Sequence, residues 1–533
     1  MPTLEIDGQR VTVEEGLNLI QAAERLGIEI PHYCFHPGLS VAGNCRMCLV
    51  EIEKMPKLQI ACNTRVADGM VVRTRSERVK AAQGAVLEFL LINHPIDCPV
   101  CDQAGECKLQ DYYMDYDRQP SRVPLETKVR KQKAIDIGPL VMLDQERCIL
   151  CSRCTRFLDE VTRTSELGIF QRGDHSRIGL FPGRRLENPY SGNVVDICPV
   201  GALTNQDFRF RARVWYLERT SSVCAACASG CNIDVHHRRG EVFRFRPRFN
   251  ADVNRYWMCD EGRLSYKRHQ GEGRLLQPMV RSADRWSTAR WDDAIGSVVD
   301  RLREISAQHG ASAVRGVVSA QATNEEAFLF ARFIGEALKG RVTGFAWSPP
   351  DAYRDDFLVD ADKNPNTSGL RALGIAVEAG DALAKEVEAG GIRALVLLRT
   401  DLDASLGDEF AHLLAKRVDY VVVIDTHHRS VAHAADVVLP IAAYTEIDGT
   451  FVNRGARVQR IRQAVSSPGQ ARPGWSLLAE LMSRISATDS AAERPASAGD
   501  VFARLASSAD VFRDLSYDKL GDLGAPLGVS PQS

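Results

Sequence analysis

Cys148-Ile149-Leu150-Cys151-Ser152-Arg153-Cys154, closed much later by Cys198-Pro199, is the passage on which the reading of this chain turns. Working outward from it, every other cysteine falls into a similar group. Upstream stand Cys34-x10-Cys45-x2-Cys48-x13-Cys62 and His94-x3-Cys98-x2-Cys101-x5-Cys107; downstream stands Cys224-x2-Cys227-x3-Cys231-x27-Cys259. All 15 cysteines are used, and none occurs after Cys259. Three groups supply four thiols each; the fourth supplies three thiols and a histidine. Thiolates are soft ligands that suit iron–sulfur clusters and zinc. Four such sets in one chain read as a wire for electrons.

Composition narrows the class. The chain has 533 residues, 44% hydrophobic and 26% charged, with a net charge of −2. This is ordinary for a multidomain globular protein and lacks the basic footprint of a nucleic-acid binder. The longest apolar runs, Ala394–Leu398 and Tyr420–Ile424, are strand-sized, far below the ~18 residues of a membrane span. The N-terminal stretch MPTLEIDGQR turns polar at once, so no signal peptide is expected. Without a secretion signal, so many cysteines point to metal rather than disulfides.

The spacing within the sets favours iron and leaves zinc, in a zinc-stapled scaffold with no redox role, as the rival. A structural zinc site usually pairs two short knuckles. The first set has one short pair, and Gly38 and Gly43 lie in its loop, where they allow backbone to approach a cluster. In the second set His94 stands where a fourth ligand is missing. A neutral imidazole there removes one negative charge and should raise the potential.

The third set carries an internal test. In two-cluster bacterial ferredoxins the run continues to a Cys-Pro whose cysteine serves the other cluster. Here that position is Leu158, and the positions counted back from Cys198 hold Asn188, Ser191 and Val194. The four absent ligands would all have bound one cluster; the four retained bind the other. A two-cluster fold that keeps one [4Fe–4S] cluster is expected. Arg147, Arg153, Arg156 and Lys108 are nearby cations able to favour reduced clusters, though each alone also reads as an ordinary surface charge.

The local pattern supplies elements. Asp7-Gly8 between alternating apolar residues predicts a hairpin, and Asn18 predicts a helix cap. Residues 78–93 predict a helix with Val79, Ala82, Val86, Phe89 and Leu90 inward, stopped by Pro95. Residues 108–133 are charged and read as surface linker. Beyond residue 276, helical and strand-like segments alternate: Trp291–Ile305 and Glu325–Leu338 as helices, Ala313–Ser319, Ala394–Leu398 and Tyr420–Ile424 as buried parallel strands. Residues 486–533 are rich in Ala, Ser, Asp and Pro and read as a partly mobile tail. No GxGxxG follows a strand and no phosphate-binding P-loop run is present, so no nicotinamide, flavin or catalytic residue is expected on this chain.

Taken in order, the four ligand sets resemble the G subunit of bacterial NADH-quinone oxidoreductase (respiratory complex I), with high specificity over residues 1–270. The fourth set and the stretch His433 to Pro440 through Glu446 to Asn453 resemble molybdopterin oxidoreductases, the latter weakly. The resemblance implies an α/β and α+β multidomain chain. Its parts would be a β-grasp [2Fe–2S] domain at 1–80, a segment with one histidine and three cysteine ligands at 81–120, and a ferredoxin-like [4Fe–4S] domain at 134–215. A molybdopterin-oxidoreductase-type [4Fe–4S] module at 217–275, a degenerate α/β domain at 276–485 and a tail at 486–533 complete it. It implies one [2Fe–2S] cluster on Cys34, Cys45, Cys48 and Cys62. Three [4Fe–4S] clusters would sit on His94, Cys98, Cys101 and Cys107; on Cys148, Cys151, Cys154 and Cys198; and on Cys224, Cys227, Cys231 and Cys259.

No molybdenum cofactor is expected, because no cysteine remains to bind the metal. The implied role is an electron-transfer subunit of an NADH:quinone oxidoreductase, a respiratory translocase. It would relay single electrons from a flavin-bearing, NADH-oxidising partner towards quinone, with no complete substrate site of its own. It would sit peripherally on the cytoplasmic side of the inner membrane and touch the membrane only through partners. The alternative is an iron–sulfur subunit of an NAD-linked formate dehydrogenase or hydrogenase complex, which shares the N-terminal half.

Overall fold

The computed structural model describes residues 1–116, 120–282, 285–486 and 494–528. The chain divides into two units, Met1–Leu217 and Glu218–Ser533.

The first unit begins with a five-stranded sheet in the spatial order Gln9–Thr12, Thr3–Ile6, Val71–Arg73, Leu49–Ile52, Gln59–Ile60. Asp7, at a φ of 47°, and Gly8, at 82°, make the predicted turn, since both positions lie in the left-handed region. Asn18 caps the helix Leu19–Glu24: its side chain accepts from Gln21 N at 3.0 Å, and Gln21 Oε1 accepts from Asn18 N at 3.1 Å. Leu4, Ile6, Leu19, Ile20, Val50, Ile52 and Val72 form the core between sheet and helix.

The helix Glu77–Leu91 follows, capped by Ser76. Its buried face is Val79, Gln83 and Leu87, with Phe89 exposed, so the face expected from apolar periodicity is rotated. Gln83 disguised it: its amide is buried and donates to Leu49 O, which no hydropathy pattern reveals. The passage expected to be a linker contains the helix Lys108–Tyr116, with Leu109 and Tyr112 buried and Tyr116 packed on Tyr112. Three ring or apolar side chains at helical spacing outweighed the surrounding charge. The remainder of that passage includes residues 117–119, outside the described residues. The unit ends with a three-stranded sheet (Ile135–Asp136, Val141–Leu143, Leu203–Asn205), the helix Arg153–Glu160, and the hairpin Leu167–Phe170 with Arg177–Leu180.

The second unit opens with an antiparallel meander, Glu218–Val223, Asn232–Arg238 and Glu241–Pro247. An eight-stranded sheet follows. Val437–Pro440, Tyr420–Asp425, Ala394–Leu398, Val314–Ser319, Arg341–Phe345 and Val377–Glu378 run parallel in that order; the hairpin Met279–Ser282 and Arg285–Thr288 closes one edge antiparallel. Every residue of Ala394–Leu398 and Tyr420–Asp425 is buried, as strands covered on both faces must be. The helix expected to Leu338 is α-helical over Asn324–Ala331 and widens to a π-helix over Arg332–Ala337. The stretch read as a tail carries the helix Ala498–Ser508, whose Val501, Phe502 and Leu505 are buried. Its small-residue composition hid three apolar residues at helical spacing; residues 487–493 and 529–533 lie outside the described residues.

Candidate metal centres

In the first set, Cys34 and Cys45 lie in the loop before strand Leu49–Ile52, Cys48 adjoins the strand, and Cys62 sits in a turn of 3-10 helix at Ala61–Asn63. The sulfurs are crowded. The thiols act on one another: Cys45 and Cys62 hold the Cys34 thiol down and Cys62 holds Cys48 down, while Cys45 and Cys62 are themselves pushed up. The Cys34 backbone N–H donates to Cys45 Sγ at 3.4 Å. Arg46, between the paired cysteines, has a φ of 60°. Four thiols acting on one another suit a cluster that bridges them.

In the second set, Cys98, Cys101 and Cys107 lie within electrostatic reach of one another; burial pushes Cys101 up and Cys107 up to about 11. A Cβ on Gly201 would overlap Cys101 Sγ, so only glycine fits there. His94 follows the end of helix Glu77–Leu91. Burial pushes its imidazole down to about 4, which leaves it neutral as a metal ligand must be. Beside it, burial would raise the Asp97 carboxyl, but Arg147, which grips it at 2.9 and 2.7 Å, and Lys133 hold it down at about 2. This Asp97–Arg147–Lys133 network was not foreseen as a unit; only Arg147 was singled out.

In the third set all four cysteines, Cys148, Cys151, Cys154 and Cys198, line one cavity, closed by apolar side chains such as Leu143 and Ile178. Burial pushes Cys148 and Cys198 up to about 12 and Cys154 well up. Buried thiols of this kind stay protonated unless a metal takes the negative charge. Leu150 at a φ of 53° and Ser152 at 61° coil the loop, and Leu150 N donates to Cys148 Sγ at 3.4 Å. Non-glycine residues in the left-handed region cost energy and cluster at functional loops. Leu158, Asn188, Ser191 and Val194, at the positions of the four absent ligands, are all buried. Protein fills these positions: Leu158 and Val194 are fully enclosed, and Asn188 donates to Glu166 at 2.9 Å.

In the fourth set, Cys224, Cys227 and Cys231 lie between the first two meander strands, and Cys259 caps the helix Asp260–Leu264. Cys224 N donates to Cys231 O at 2.8 Å. A Cβ on Gly262 would stand 3.0 Å from Cys224 Sγ and 3.3 Å from Cys259 Sγ, and Gly262 N donates to Cys259 Sγ at 3.3 Å. Burial pushes the Cys224 thiol up to about 12. Gly201 and Gly262 both escaped sequence reading; their signal was position, three residues after a set's last cysteine.

Among the described residues no three His, Cys, Asp or Glu side chains converge tightly enough to hold one metal ion. A cubane asks for wider spacing, because each protein ligand binds a different iron. The donor sets, the glycines facing sulfur and the backbone N–H groups aimed at it fit iron–sulfur clusters.

These features define an iron–sulfur protein with both [2Fe–2S]- and [4Fe–4S]-binding domains. Family models match in succession: a 2Fe-2S iron-sulfur cluster binding domain at 1–77, the NADH-ubiquinone oxidoreductase-G iron-sulfur binding region at 83–122, and the NADH-quinone oxidoreductase subunit 3 ferredoxin-like domain at 138–204. An NDSU1/NuoG-like 4Fe-4S domain matches at 217–267, and molybdopterin oxidoreductase at 274–348 and 368–484. The chain is 33% identical to the mitochondrial NADH-ubiquinone oxidoreductase 78 kDa subunit of Candida albicans, over 90% of this chain and 82% of that protein. It is 42% identical to the NADH-quinone oxidoreductase G subunit of Rickettsia bellii, over 57% of this chain and 44% of that one. A solved structure of an NAD+-reducing [NiFe]-hydrogenase aligns with a TM-score of 0.36 at 28% identity, covering 40% of this chain and 91% of the hydrogenase chain. The chain belongs to the family that unites the bacterial NADH-quinone oxidoreductase G subunit with the mitochondrial 78 kDa subunit.

Proposed function

We propose that this chain is an iron–sulfur electron-transfer subunit of an NADH-quinone oxidoreductase, working within the peripheral arm beside other subunits of that complex. It takes single electrons from a flavin-bearing, NADH-oxidising subunit and passes them on towards quinone. Its place is on the cytoplasmic side of the membrane; among the described residues no helix is long and apolar enough to cross one. The sixteen ligands are those of the four sets, giving one [2Fe–2S] and three [4Fe–4S] clusters, and the domains divide at the bounds that the resemblance implied.

One observation carries this reading. Cys34 and Cys45 of the first set, Cys107 of the second, and Cys148, Cys151 and Cys198 of the third pack in a single apolar cluster with Tyr33, Tyr112 and Val200. Lys108 N also donates to Pro199 O at 3.1 Å, tying the residues next to Cys107 and Cys198. Three redox sites sharing one dry core can exchange electrons by tunnelling, with little geometric change. In the α/β region polar groups pair among themselves: Arg399 with Glu326 at 2.8 and 2.6 Å, and Arg274 with Glu446 at 2.7 and 2.8 Å. This favours a scaffold rather than a molybdenum site.

The test is electron paramagnetic resonance of the native assembly, poised at stepped potentials, for wild type and His94→Cys. We expect one [2Fe–2S] and three [4Fe–4S] signals, with one [4Fe–4S] potential lower in the variant because a thiolate adds negative charge. Zinc without iron signals overturns the reading; an unchanged potential removes His94 from the ligands.

A further inference from the structure

Arg153 stands between two ligand sets. It opens the helix Arg153–Glu160, between Ser152 and the ligand Cys154. Its Nη1 donates to Ile197 O at 3.1 Å, one residue before Cys198, and its Nη2 donates to Phe35 O, one residue after Cys34. The planar fork thus ties the backbone beside a ligand of the third set to the backbone beside a ligand of the first. Arg156, one turn further on, adds donors to Cys34 O and Ser40 O, so the join is built rather than incidental.

Two further observations concern the charge. Arg153 Nε is buried and has no hydrogen-bond partner. No carboxylate pairs with Arg153 among the described residues. Its close charged or titratable neighbours include a second cation, Arg156, together with His32, His36 and the thiols themselves. Arg153 lines the cavity that holds Cys148, Cys151, Cys154 and Cys198, and its guanidinium lies within electrostatic reach of Cys151 and Cys198 from that set and of Cys34 and Cys45 from the other. A buried N–H without an acceptor is costly, and cluster sulfur is the acceptor such a donor suits.

We infer that Arg153 is a positioning residue shared by two clusters: a cation with no carboxylate partner among the described residues, wedged between the Cys34 and Cys148 sets, that raises the reduction potentials of both together and keeps the gap between them fixed. The physics is simple. Reduction adds one negative charge to a cluster, and a nearby desolvated cation stabilises the product in each. A carboxylate partner would cancel the effect; none is present among the described residues. The inference deepens the proposed function and rests on its assignment of the first and third ligand sets.

The test uses the native assembly carrying Arg153→Met or Arg153→Lys, with iron content, melting temperature and paramagnetic redox titrations. In Arg153→Met the midpoint potentials of the [2Fe–2S] cluster and of the Cys148-set cluster should both fall. In Arg153→Lys both should fall by less, since the charge stays while the fork is lost. Should the methionine variant lose a cluster, the lysine variant supplies the reading. A lowered melting temperature with both potentials unmoved, or movement of one potential only, overturns the inference. Absence of either signal from the wild type would instead overturn the cluster assignment beneath it.

Discussion

The two units hold their cysteines in opposite ways. In Met1–Leu217 the neighbours of each ligand set include other ligand sets: Gly201, close behind Cys198, presses on Cys101, and Arg153 reaches from beside Cys198 to beside Cys34. In Glu218–Ser533 the single set is fastened to the α/β scaffold instead. Ala228 N donates to Asp362 O at 2.8 Å, Arg454 N donates to Ala228 O at 2.7 Å, and Gln459 Nε2 donates to Gly230 O at 2.9 Å. On the proposed function the first arrangement would suit a relay and the second a staple for the fold.

Removing one ligand from each unit tests this contrast most strongly. Cys198→Ser should abolish the third set's signal and disturb the spectra of the first and second sets, which share its apolar core. Cys231→Ser should abolish its own signal and lower the melting temperature of the α/β region. If Cys198→Ser leaves its two neighbours spectrally untouched, the shared core does not couple them.

A smaller effect is expected from the buried pair Glu326–Arg399, whose side chains are 0% and 8% exposed. Arg399→Met leaves a buried carboxylate without its cation and should cost about 3–5 kcal/mol in calorimetry or denaturant melts. Full metal occupancy of the fourth set in a melted α/β region would separate staple from scaffold and break the comparison.

The smallest expected effect is a pH dependence. Burial raises the Glu325 carboxyl from 4.5 to about 7, while Thr450 and Tyr517 donate to it. The folded state therefore binds this proton more tightly than the unfolded chain. The stability it contributes is complete below pH 4.5 and is lost as pH rises to about 7, a fall of about 3 kcal/mol. Glu325→Gln should flatten that slope in melts of the second unit; an unchanged slope would place the titration elsewhere.

Much of the α/β sheet was readable because its strands are uninterrupted apolar runs: Ala394–Leu398 occurs as expected, and Tyr420–Asp425 runs one residue longer than the run that announced it. The helix Lys108–Tyr116 was not, since charge masks three residues that need only one face to pack. Gln83 shows the reverse error, a polar residue buried because one carbonyl, Leu49 O, accepts its amide. The absence of ligands at Leu158, Asn188, Ser191 and Val194 was readable, but not that these residues fill the space.

The sequence by itself pointed to the chemistry: soft donors in four sets, the histidine beside the short one, and the sorted loss that reads as one ferredoxin site of two. Spacing carries this because each loop must wrap its own ligands locally. Only the tertiary structure decided which sets share a core, where glycine alone fits against sulfur, and that Arg153 faces two sets with no carboxylate partner among the described residues. Several of those facts join residues far apart in the chain, such as Arg153 and Phe35, 118 positions apart. They are brought together by burial of apolar surface, which has no period along the chain.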